Sequence, residues 1–453
     1  MGRQSSAFDG DAGMPLVNLN AAGLDIGASE IWACVPAGRD AQTVRPFGTF
    51  TPDLHDLAEW LVGCSVDTVA MESTGVYWIP AYEILEARGL RVYLVNARHI
   101  KNVTGRKSDV QDCQWIQRLH SCGLLSASFR PESEICTLRA YLRHRASLIE
   151  HRAAHIQHMQ KALQQMNLQL TQVLSDITGS SGMAILRAIV AGERNPLKLA
   201  ELRDRRCAKS QAQIAKALTG NYRPEHVFAL KQAVALYDAY NGQIRECDAE
   251  IERQFSVIKP THDDDLPPLH SGDKMNTHSK NGPSYDARTL LYRMLGVDLV
   301  AVTGLNASTV QTVISEIGTD MTRWPSVKHF SSWLQLAPHN DISGGKVLRS
   351  RILKGHNRAG QALRLAAQSL ARSPSALGAY FRHVRARSGA KQAVVATAHK
   401  LARIIYTMLK HRTPFHDIGA DEYELRLHQR QIARLHKTAK SLGFILQPIQ
   451  VSE

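Results

Sequence analysis

At 453 residues the chain is too long for one ordinary hydrophobic core, and two or three domains are expected. Apolar residues make up 44% and aromatics 6%, with few long apolar runs, which argues against a membrane protein; seven cysteines without a CxxC pair give no zinc or disulfide framework and fit a reducing cytosol. A formal charge of +14 suggests a polyanionic partner.

Residues 1–20 read as a polar tail without a signal-peptide pattern. From Ala21 to about Ser121 strands and helices alternate. "AAGLDIG" and "EIWACVPAG" predict two strands joined by a tight turn, and "RPFGTFT" a third. "DLHDLAEWLVGC" predicts an amphipathic helix, "VDTVAMEST" an apolar strand, "WIPAYEILEARG" a helix closed by Gly89, and "RVYLVNA" another strand. The expected domain, 21–130, is therefore a mixed sheet with helices packed on it, the plan of a ribonuclease-H-like fold.

Four carboxylates in this region could carry chemistry. Asp25 lies among small and apolar residues in the first strand, where a charge is costly unless paired or bound to metal. Glu72 ends the strand "VDTVAME". In "GRKSDVQDCQWI", Asp109 and Asp112 stand three apart at a predicted helix start, on one face. Acids there either answer the positive end of the helix dipole or hold a cation, and the local sequence leaves both open. Taken singly each is more often structural; as a set in this order they suit a hard cation such as Mg²⁺, which takes oxygen ligands and bridges to phosphate.

Residues 138–178 change character. Leu142, Ile149, Ile156, Leu163, Leu170 and Ile177 recur every seven positions, with Met159, Met166 and Val173 between them and Arg145 and Arg152 spoiling the start. A second helix, Pro224 to Phe255, carries a matching seam interrupted by Asn241 and Asp248. The region 131–258 thus predicts a long coiled-coil helical segment, either an intramolecular hairpin or a dimerising coil. Residues 259–288, rich in Pro, Gly, Ser and Asp, read as a flexible linker or insertion. The mainly helical 289–420 region opens with two helices around "TGLN", a turn that either offers N–H groups to a phosphate or simply packs, and 421–453 is a helical tail.

Charge is unevenly placed. Trp324–Glu453 holds 21 Lys and Arg against 6 Asp and Glu, and Ile342–His416 holds no acid at all, a pattern that points to a phosphate-binding face. Within it, "LAPHNDISGGKVLRSRILKGHNRAGQALRLAA" places Ser343 before Gly344 and Gly345, with Lys346, Arg349, Arg351, Lys354, Arg358 and Arg364 behind. Serine becomes a nucleophile when a base, a metal or nearby cations favour the alkoxide. Glycines let bulky DNA approach, and guanidinium groups clamp phosphate. The plainer reading is a turn with solvated basic neighbours.

In order, "GLDIG", "MESTGVYW", "NARHIKNVTGRKSDVQD", "VTGLNASTVQTVISEIG", "FSSWLQLAPHNDISGGK" and "LKHRTPFH" resemble the insertion-sequence transposases of the IS110 family, the bridge-RNA-guided DNA recombinases, over about Ala21 to Gly419. The resemblance implies a RuvC-like domain whose metal-binding acids match Asp25, Glu72, Asp109 and Asp112, with Mg²⁺ bound and Mn²⁺ as the alternative. It implies that Ser343 attacks DNA and becomes joined to a 5′-phosphate, in a composite site built from two protomers. Lys107 would join the residues around Ser343 in holding nucleic acid. The implied partners are DNA at the element ends and target, a structured guide RNA, and further copies of the chain as a dimer or tetramer, with no membrane. The implied setting is the prokaryotic cytoplasm, beside the nucleoid. Two rival readings follow from the residues: a metal-dependent nuclease or junction resolvase in which water attacks, and a non-catalytic nucleic-acid-binding protein.

Overall fold

A computed structural model describes residues 15–73, 75–96, 108–261, 266–267, 280–352 and 357–447. Lys107 and Lys354, both expected to touch nucleic acid, lie outside the described residues, as does most of the Pro- and Gly-rich segment. The chain divides into two units, the first ending at Arg130 and the second beginning at Pro131.

The first unit follows the predicted alternation: β1 (Ala21–Ile26), β2 (Glu30–Cys34), β3 (Val44–Gly48), α1 (Thr51–Gly63), β4 (Thr68–Glu72), α2 (Trp78–Ala87), β5 (Arg91–Val95) and α3 (Asp109–Ser121). The sheet order is β3-β2-β1-β4-β5, with β1 to β3 an antiparallel meander and β4 and β5 parallel to β1. Parallel neighbours require crossovers, and α1 and α2 supply them. Side chains alternate across the strands. Ala22, Leu24, Ile26, Val69 and Met71 join Leu57, Leu61 and Leu85 of α1 and α2 in one core. Ala70 and Val95 face the opposite way, against Ile116 of α3 and Leu125. The sheet is thus covered on both faces, as parallel strands need to be.

The second unit contains α4 (Ser133–Gln165), α5 (Leu170–Val173), α6 (Ser180–Val190), α7 (Pro196–Glu201), α8 (Gln211–Ala217), α9 (Pro224–Val257), α10 (Ala287–Leu295), α11 (Ala307–Ile317), α12 (Val327–Trp333), the strands β6 (Pro338–Ser343) and β7 (Lys346–Ile352), then α13 (Arg358–Ser369), α14 (Ala376–Ser388), α15 (Ala390–His411) and α16 (Gly419–Ser441). The long helices α4 and α9 pack on each other within the chain. The polar interruptions of the two seams answer one another. Arg145 donates to Asp248 at 2.5 and 3.2 Å, and Arg152 donates to Asn241 Oδ1 at 2.6 Å. Seven residues forward on α4 match seven backward on α9, so the pair is antiparallel. Arg145 and Asp248 are 7% and 2% exposed, a burial that their mutual bonding makes tolerable. The arginines expected to spoil the seam instead fix its register.

The predicted single seam over 138–178 is corrected in its second half. α4 stops at Gln165, Asn167 adopts φ +54°, and the backbone turns to other partners: Gln169 N–H donates to Ala217 O and Asn221 N–H to Met166 O. Leu170 and Ile177 keep the heptad spacing because they still enter a core, now one shared with Met166, Leu186, Ile214 and Leu218. The described end of the linker is not loose either. Asn281 O and Gly282 O accept from Arg145, Asn281 Oδ1 accepts from Arg152, and Ser284 N–H donates to Asp248.

Candidate functional site

The first-unit carboxylates are brought together by strand register and one glycine. β1 pairs with β4 in parallel, Leu24 beside Met71. One step on, at the carboxyl ends of the two strands, stand Asp25 and Glu72. Alternation gives Asp25 the face of Gly23, and Glu72 the face of Ala70, which is the side that α3 covers. The backbone of α3 lies directly against β1 at Gly23: a Cβ there would sit 2.2 Å from Gln117 N and 2.4 Å from Cys113 O. No other residue permits that approach. Gln117 Nε2 also donates to Ala21 O at 3.3 Å, and Cys113 and Ile116 are buried, which pins the helix lengthwise. Ser108 caps α3 by accepting from Gln111 N–H, so Asp109 and Asp112 occupy its first turn.

The charges in this corner act on one another. The Asp25 carboxyl is pushed up to about 6, first by burial and then by repulsion from Asp109, Asp112 and Glu72. Asp109, Asp112 and Glu72 each oppose ionisation of Asp25, and an all-oxygen donor set suits a hard divalent cation. Among the described residues, no group of three or more His, Cys, Asp or Glu side chains is gathered closely enough to hold a metal ion. The donors suit such a cation in chemistry, while their side chains are not drawn into a metal-holding group. Gly23 was missed by the sequence reading, although a glycine two residues before a buried aspartate in a strand signals close backbone approach.

Ser343 lies in a different setting. β6 and β7 form a two-stranded hairpin that was not among the expected elements, with Ser343 opposite Lys346 and Gly344 and Gly345 at its tip. Both glycines have positive φ, +55° and +76°, the type I′ geometry that a two-residue hairpin demands. The signal was present in "SGGK". Ser343 and every residue of β7 are exposed, and among the described residues the Ser343 hydroxyl has no hydrogen-bond partner. Lys346, Arg349 and Arg351 project from the same exposed strand, and Arg358 is exposed at the start of α13. Arg364 differs: it is half-buried, burial lowers its guanidinium below the ordinary range, and it donates to Gln335 O at 2.7 Å, so it braces a turn. The turn "TGLN" resolves similarly, since Asn306 Oδ1 accepts from Thr309 N–H as the cap of α11.

A mixed sheet bearing a four-acid corner, followed by a largely helical and strongly basic region, defines a chain built to work on nucleic acid. Residues 22–168 match the family model DEDD_Tnp_IS110, described as a transposase, and residues 298–382 match that of the Transposase IS116/IS110/IS902 family. The chain therefore carries two IS110-family transposase domains, and such transposases cleave and rejoin DNA. The first match runs through the whole of α4 and ends just beyond it. No curated protein matches the chain. Among the described residues, no helix is long and apolar enough to cross a membrane.

Proposed function

We propose that this chain is an RNA-guided DNA recombinase of an insertion sequence, with a RuvC-like acid site in its first unit and Ser343 as its nucleophile. The observation that carries the reading is the gathering of Asp25, Glu72, Asp109 and Asp112 at the carboxyl ends of β1 and β4 and the first turn of α3. Those four residues would hold Mg²⁺, with Mn²⁺ as an alternative. A bound divalent ion supplies charge neutralisation of the scissile phosphate and lowers the pKa of an oxygen nucleophile.

Ser343 Oγ attacks the phosphorus and gives up its proton, the bond from phosphorus to the 3′ oxygen breaks, that oxygen takes up a proton and leaves as a 3′-hydroxyl, and a 5′-phosphoserine ester forms. Attack on that ester by another strand's 3′-hydroxyl forms a new phosphodiester, returns a proton to the serine and completes the exchange, so no ATP is needed. Lys346, Arg349 and Arg351 on the exposed hairpin stabilise the charge on the phosphoryl oxygens. Pairing of a structured guide RNA with element-end and target DNA, and assembly of dimers or tetramers, complete the proposed cycle.

The test uses the full-length protein with Mg²⁺, RNA transcribed from the element and a 3′-labelled element-end duplex, quenched in detergent and run on a denaturing gel. The wild type should carry label as a protein adduct, and Ser343→Ala should form none and leave the strand intact. One observation favours a second reading, hydrolysis by water: the Ser343 hydroxyl has no base bonded to it among the described residues. In that case Ser343→Ala would still cut, while Asp25→Asn would not.

A further inference from the structure

Among the described residues, the C-terminal helix α16 packs on α14, and the bonds and ring contacts that fix it fall at its beginning. Ala420 N–H donates to Pro374 O at 3.2 Å, and Lys400 Nζ lies 4.4 and 5.2 Å from the ring centroids of Tyr380 and Tyr423. No residue of this 23-residue helix is buried. Leu425, Ile432, Leu435 and Leu442 stand 53%, 42%, 59% and 68% exposed. A helix of this length is not sustained in water by propensity alone; most helical stability in proteins comes from packing one apolar face.

The spacing of its residues says what covers that face. With Leu425 at a heptad's first core position, the seam runs Leu425, His428, Ile432, Leu435, Ala439, Leu442, alternating steps of three and four. The positions that flank a coiled-coil seam hold Glu424, Gln429, Gln431, His436 and Thr438. All five cations, Arg426, Arg430, Arg434, Lys437 and Lys440, fall on the outward positions. In so basic a region, a seam without one Lys or Arg at its flanks can meet a copy of itself without like-charge repulsion. A β-branched residue at the first core position and leucine at the second, as in Ile432 and Leu435, favours two parallel strands.

We propose that α16 is a self-association helix, its seam paired in parallel with the same helix of a second copy of the chain, leaving the basic arc outward. This surface is separate from the α4–α9 pair, whose seams are filled within one chain.

The test is disulfide trapping in the full-length protein, since none of the seven native cysteines lies in α16. Leu435→Cys puts a thiol on the seam, and Lys437→Cys puts one on the outward face. On mild oxidation Leu435→Cys should give a covalent dimer well above the wild-type background, and Lys437→Cys should not. No dimer from Leu435→Cys, or equal yields from the two, overturns the proposal. Sedimentation supplies the second measurement. Ile432→Glu with Leu435→Glu should weaken association at least tenfold, whereas Lys437→Glu with Lys440→Glu should leave it unchanged. A seam variant that sediments as the wild type does, or an outward-face variant that dissociates equally, refutes it.

Discussion

Replacing Asp25 by Asn should make the metal-free protein more stable while removing its ability to cut DNA. The Asp25 carboxyl moves from 3.8 to about 6 through burial and three like charges. A displacement of about two pH units corresponds to ~3 kcal/mol at most, and solvent around a partly exposed site reduces this to ~1–2 kcal/mol. The sign follows from which state holds the proton. Below pH 3.8 folded and unfolded chains both carry it, and there is no penalty. As pH rises from 3.8 to about 6, the unfolded chain ionises first, so stability falls; above about 6 the loss is complete and constant. Asparagine keeps the shape and never ionises.

Thermal denaturation in EDTA between pH 4 and 8 reads this directly. The difference between Asp25→Asn and wild type should be near zero at pH 4 and several degrees in favour of the variant at pH 8. Adding Mg²⁺ at pH 8 should raise the wild type and leave the variant where it is, because a ligand stabilises only the state that binds it. An Asp25→Asn protein that melts below the wild type at pH 8 in EDTA would refute the idea that these four acids repel one another in the folded chain.

Gly23→Ala would place a methyl 2.2 Å from Gln117 N, so α3 must lift off the sheet; we expect a loss of ~1–3 kcal/mol, faster hydrogen exchange across 109–121 and loss of cleavage. Arg145→Met strands the buried Asp248 and should cost ~3–5 kcal/mol in urea denaturation, whereas adding Asp248→Leu should restore most of it. His120, buried and bonded to Thr68 Oγ1 at 2.9 Å, is held down from 6.5 to about 4 by burial, so its contribution is intact above pH 6.5 and lost as pH falls toward 4; His120→Gln should flatten that part of the acid denaturation curve. Alanine at Lys346, Arg349 and Arg351 together should reduce the salt slope of DNA binding by up to ~3, measured by fluorescence anisotropy across a salt series.

Much of the first unit was legible because its signals are local and mutually consistent. The β-branched and apolar runs, the turn glycines and the alternation in "VDTVAME" each point to the element that forms. The heptads were legible too, but their polar defects were not: Arg145 and Asp248 are 103 positions apart, and each alone looks like damage. Their meaning exists only as a pair. The overrun of the seam past Gln165 has the same cause, since burial at Leu170 and Ile177 preserves the spacing after the helix has ended. At Ser343 a turn was legible in Gly-Gly between "NDIS" and "KVLR", but the strands beside it were not, because both are largely exposed and lack the apolar alternation of a half-buried strand. Arg364 looked like its basic neighbours, and only the carbonyl of Gln335 set it apart.

The division of charge along the chain carries a consequence for how DNA is held. A corner of four carboxylates repels a phosphodiester, so the acid site proposed for the first unit would not by itself supply affinity for DNA. The acid-free run from Ile342 to His416 can, because each phosphate neutralised by Lys or Arg releases a counterion. If the proposed acid site binds its cation, the metal-dependent step and the affinity for DNA should respond to different variables. Binding strength should follow salt and the hairpin cations, while turnover should follow divalent ion and the ionisation of Asp25. Among the described residues, Ser343 stands at the end of an exposed two-stranded hairpin, a kind of strand pair that is marginally stable by itself.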